Sequence, residues 1–88
     1  MHKLHKLLKQ IYKELEAAED YIHCAANSES DVRETYRSLA RDELTHAEKL
    51  IMLGNRHVDE DMKRIWDFEK ENITDRWMHD KSKMSHIE

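Results

Sequence analysis

The sequence predicts an all-α protein, an antiparallel helical hairpin followed by a third helix, and three features predict it. The 88 residues include one Gly and no Pro, too few turn residues for a sandwich or barrel, which needs them about every 8–12 positions. Apolar side chains recur at steps of three and four over long stretches, the spacing of a single helix face. Polar punctuation falls at two places, Asn27-Ser28-Glu29-Ser30 and Gly54-Asn55.

The first helix is expected over about 2–26, where Leu4, Leu7, Leu8, Ile11, Leu15, Ala18, Tyr21, Ile22 and Ala25 keep helical spacing. Asn27 suits a C-cap, and Ser30, followed by Asp31, suits an N-cap, so the chain should reverse tightly there. The second helix is expected over about 31–53 and stopped by Gly54, because glycine is the usual residue just past a helix C-terminus. The third should begin between Asn55 and Asp61 and cover about 58–82, with Val58, Met62, Ile65 and Glu69 as its stripe, Trp66, Ile73 and Trp77 beside it, and a frayed end. Residues 1–88 thus read as a single helical domain.

Composition excludes several functions. Net charge is −4 and the basic residues are interleaved with acidic ones, which leaves no footprint for nucleic acid. The longest apolar run is four residues, Leu50-Ile51-Met52-Leu53, far short of a membrane span. A single cysteine, Cys24, precludes an internal disulfide and there is no Cys/His array for zinc. The chain reads as cytoplasmic, and its small size implies support from a metal, further subunits or both.

Tracing a packed line down each hairpin helix at three- and four-residue steps gives Leu4, Leu7, Ile11, Glu14, Ala18, Tyr21 and Ala25, facing Val32, Tyr36, Leu39, Glu43, His46, Leu50 and Leu53. The only carboxylates and imidazole on these lines are Glu14, Glu43 and His46. Glu14 lies 13 residues before Asn27 and Glu43 lies 13 after Ser30, so at about 1.5 Å per residue both stand at one level of the hairpin. His46 is one turn from Glu43 on the same face. Two carboxylates in an apolar seam repel each other and resist desolvation, so a cation is expected between them, and an oxygen/nitrogen set suits iron, manganese or zinc. Three ligands are half of a bundle-core dinuclear site, which uses four carboxylates and two Glu-x-x-His histidines. Ligand counting therefore implies a homodimer, two copies completing one four-helix bundle. Glu-x-x-His recurs by chance at this composition, as Asp20-x-x-His23 illustrates for the same spacing. A seam rotated by one position, with Glu14 and Glu43 in water, is the competing arrangement. Tyr21 and Cys24 read as core residues. Glu69 reads as a water-facing carboxylate, with proximity to the metal site as the alternative, and His2, His5, His57, His79 and His86 share no face.

Glu14-Leu15-Glu16-Ala17 with Tyr21, and Arg41-Asp42-Glu43-Leu44-Thr45-His46-Ala47, resemble the rubrerythrin branch of the ferritin-like superfamily, and most closely its short encapsulated ferritins. The resemblance covers about residues 11–53. It implies a di-iron ferroxidase centre between two subunits, two irons per dimer interface, with Glu14, Glu43 and His46 as ligands and O2 or peroxide as oxidant. In such proteins the dimer is built further into a ring, and an acidic residue where Glu16 stands helps iron enter. Asp20 departs from the Trp usual in the encapsulated relatives, and the tail Ser82-Lys83-Met84-Ser85-His86-Ile87-Glu88 does not look like an encapsulin-targeting segment, so an encapsulin shell is not expected. The alternative function is non-enzymatic: a helical oligomerisation module with a structural metal such as zinc, or with none.

Overall fold

A computed structural model describes residues 2–87, at His2 the backbone alone; Glu88, the last residue of the tail compared above, lies outside them. The described residues form three α-helices, α1 (His2–Ala26), α2 (Ser30–His57) and α3 (Lys63–Met84), with a 3₁₀ turn at Glu60–Met62 before α3. No strand occurs among them. The helices lie side by side in a rod of 48 × 18 × 16 Å, as expected for helices of 22 to 28 residues rising about 1.5 Å each.

The α1–α2 reversal is closed by side chains. Asn27 Nδ2 donates to the His23 carbonyl at 2.8 Å and Ser28 Oγ to the Cys24 carbonyl at 2.6 Å, so two of the orphan carbonyls at the end of α1 are satisfied. Arg33 Nε and Nη2 grip the Ser28 carbonyl at 3.2 and 3.0 Å from the other side. Ser30 opens α2 as its first residue; the N-cap is Glu29, with no side-chain bond.

The third helix fixes the rest. Tyr12 pairs with Glu69 and Glu19 with Arg76, each across 57 residues, so α3 runs parallel to α1 in a common register. Trp66 Nε1 donates to Asn55 Oδ1 at 3.1 Å and Trp77 Nε1 to the Leu44 carbonyl at 2.8 Å, which sets α3 antiparallel to α2.

Docking of α3 moves the core of α2 by one position from the traced line, and that of α1 at two of its places. On α1 the buried residues are Leu4, Ile11, Leu15, Ala18, Ile22 and Ala25, so Leu15 and Ile22 take the places expected for Glu14 and Tyr21. On α2 they are Ala40, Leu44, Ala47 and Gly54, while Val32, Leu39 and Leu53 are exposed. A two-helix tracing places the core midway between two faces; a third helix on one side draws it toward itself. On α3 the buried stripe is Trp66, Ile73, Asp80 and Met84, and Ile65, expected inside, is exposed. The expected frayed end is also corrected: helix continues to Met84 and Ile87 is buried.

Gly54 does not stop α2, which runs three residues further to His57. The glycine is buried with the Trp66 indole lying where a Cβ would be, so its role is to let α3 approach, and the helix ends instead where Val58 becomes extended, at φ −69° and ψ 131°.

Candidate metal centre

Glu14 stands at mid-length of α1, and Glu43 and His46 at mid-length of α2. The level match read from the turn holds: His46 Nδ1 lies 3.0 Å from Glu43 Oε1 and 3.3 Å from Glu14 Oε2. One donor atom from each of the three falls within 4.8 Å of the others. The next pair up the hairpin shows the same symmetry about the turn, with the Tyr21 and Tyr36 rings 6.1 Å apart and tilted by 31°.

Because the core of α2 is displaced by one position and Leu15 takes the place of Glu14 on α1, the group sits at the edge of the hairpin and not in its middle. The two carboxylates are about a quarter exposed, at 27% and 22%, and the imidazole is 55% exposed. The seam is thus rotated by one position on α2, but the carboxylates do not stand in water as the competing arrangement had them. The group opens into a groove lined by Gln10, Lys13, Glu14, His46, Lys49 and Leu50, with no residue of α3. That face carries exposed Val32, Leu39 and Leu53 on α2.

Within the group, Glu14 Oε2 is shut off from solvent yet makes no hydrogen bond; the imidazole nitrogen at 3.3 Å is within ion-pair reach. An acceptor in that state lacks compensation for its desolvation. A cation is one way to supply it. Two carboxylate oxygens and an imidazole nitrogen fit a first-row divalent ion, so the residues present are compatible with iron. His46 itself is the other way, since its Nδ1, when it carries a proton, faces both carboxylates.

Glu16 is not brought to this group. It is two residues from Glu14, about 200° around the helix, and lines a separate groove with His5, Leu8, Lys9, Tyr12, Lys13 and Glu69. Glu69 neither joins the three ligands nor stays in water: its Oε1 accepts from Tyr12 at 2.6 Å. Together with burial, that bond pushes the Tyr12 phenol up to about 12. Asp20 and His23 are exposed, and Cys24 is half-buried.

A second polar cluster escaped the sequence reading. Glu19, Arg76 and Asp80 meet between α1 and α3, with Asp80 only 1% exposed. Asp80 falls seven residues after Ile73 and four before Met84, so the stripe through Trp66 and Ile73, followed to its end, would have found an acid among apolar side chains.

Compared with known proteins, the chain matches no family model, no curated protein and no solved structure. No described helix is long and apolar enough to cross a membrane.

Proposed function

We propose that the chain is a ferritin-like subunit that takes up Fe(II) at Glu14, Glu43 and His46 and oxidises it to Fe(III) in a homodimer. The observation that supports this most is Glu14 Oε2, a carboxylate oxygen closed to solvent without a hydrogen bond, beside a second carboxylate and an imidazole. Iron held there supplies one-electron redox chemistry toward O2 or peroxide. The chain's own contribution is the donor set: Glu14 and Glu43 give anionic oxygens that favour the more highly charged ion, and His46 gives a nitrogen. Helix-borne ligands hold these positions without a loop to reorganise.

Three ligands leave a shell incomplete, and the face that bears them leaves apolar Val32, Leu39 and Leu53 in water. A second copy answers both deficits. Charge favours one orientation. Counted from the level of Glu14 and Glu43, Asp20 is six residues toward the turn and Lys49 six residues away from it; Asp31 and Arg56 lie further out in the same two senses. A two-fold axis crossing the hairpin at the site level would set each acid level with a partner base, whereas an axis along the hairpin would set like beside like.

A second reading is kept by one observation: His46 Nδ1 reaches both carboxylates unaided. On that reading the chain is an oligomerisation module with a structural zinc or no metal. Anaerobic Fe(II) addition followed by air separates the two. A ferric absorbance rise in the wild type, lost in Glu43→Ala at unchanged solution mass, supports oxidation; a silent titration with the oligomer retained supports the module.

A further inference from the structure

On the side of α1 away from Glu14, a charge imbalance is built into the contact with α3. Arg76 Nε and Nη2 donate to Glu19 Oε2 and Oε1, each at 2.6 Å, a bidentate pair. Asp80, one turn beyond Arg76, is 1% exposed and its Oδ2 has no hydrogen-bond partner. Two carboxylates therefore face one guanidinium, whose fork is already committed to Glu19. The other charged groups near this level do not close the deficit. Lys83 of α3 attracts both acids, but only from the exposed surface and less than burial opposes Asp80; His23 of α1 is exposed, and on α2, placed by the Trp77–Leu44 bond, Arg41 is exposed and Arg37 is paired with Glu34 at 3.1 Å.

We propose that Asp80 and Glu19 share a single proton, and that this proton latches the C-terminal half of α3 onto the hairpin. A neutral Asp80 carboxyl donates to Glu19, whose oxygens also accept from Arg76, and the contact is then electrically balanced. Loss of the proton leaves an uncompensated negative charge inside the α1–α3 contact, and the segment from Arg76 to Ile87 lifts. Burial, and after it the neighbouring Glu19, push the Asp80 carboxyl up to about 7, while the Arg76 fork holds Glu19 below the usual carboxylate range. The latch thus works near neutrality. Lifting would also break the Trp77 bond to the Leu44 carbonyl, one residue from Glu43.

The test is amide hydrogen exchange of the full chain from about pH 5.5 to 8.5, corrected for intrinsic exchange, on wild type and Asp80→Asn. Protection across residues 76–87 of the wild type should fall by up to about tenfold per pH unit as pH rises toward the Asp80 midpoint and level off above it, while α1 is unaffected. Asp80→Asn carries a permanent donor and should stay flat. The same pH dependence in both proteins, or none in the wild type, overturns the proposal. Should Asp80→Asn fail to dock α3, carboxyl NMR of wild-type Asp80 decides: a midpoint near 7 supports the latch, and a midpoint below about 5 overturns it.

Discussion

The Trp66 indole occupies the space that a Cβ on Gly54 would fill. The glycine is therefore a packing residue inside α2, and Trp66 anchors the start of α3 with its Nε1 on Asn55. Gly54→Ala should gain up to about 1 kcal/mol of helix propensity and lose about 1–3 kcal/mol to overpacking against a buried ring. Net destabilisation is expected, read as a lower urea midpoint with blue-side Trp fluorescence disturbed. A midpoint above that of the wild type would refute the packing role.

His46 is more than half exposed, and exposed ion pairs add little. His46→Ala should change metal-free stability by no more than about 1 kcal/mol. It should nevertheless abolish any rise in melting temperature caused by Fe(II), Mn(II) or Zn(II). A metal-induced shift that survives the substitution would place the binding elsewhere.

The dimer proposal singles out Leu39. Leu39→Lys puts a charge into the face bearing the candidate site and should weaken self-association by about 2 kcal/mol, some 30-fold in Kd. Phe68, 69% exposed on α3, is the control, and Phe68→Lys should leave solution mass unchanged. Sedimentation of the two variants in the reverse order would move the interface to α3.

Arg76→Ala removes a bidentate partner from Glu19 and should destabilise by about 1–2 kcal/mol, discounted because the guanidinium is over a third exposed. The pH profile gives a second handle. Glu19 is held below its ordinary value of 4.5, first by the Arg76 bond, so its stabilisation is present above 4.5 and lost as pH falls through the lowered value. Asp80 is raised from 3.8 to about 7, so stability declines as pH rises through that range toward 7. Thermal melts should show the acid-side loss attributable to Glu19 shrinking in Arg76→Ala.

Tyr12, with its phenol pushed up to about 12 by the Glu69 bond, should give a late step in an absorbance titration. Tyr12→Phe should cost about 1 kcal/mol and eliminate that late step. The late step persisting would show that it does not belong to Tyr12.

By itself the sequence determined that there are three helices, where the first begins and ends, and that Glu14, Glu43 and His46 stand at one level. These follow from local rules: apolar periodicity, capping chemistry, and equal residue counts either side of a tight turn. It left open which side of α2 faces inward, because Leu39, Glu43 and His46 and their neighbours Ala40, Leu44 and Ala47 make equally regular lines. Only the docking of α3 chose between them. The same contact turned Gly54 from a stop signal into a seat for Trp66, gave Glu69 a phenol to bind, and buried Asp80 beside Glu19. Residues 57 positions apart meet in that contact, and a pairing across such a separation leaves no mark in the local pattern of either helix.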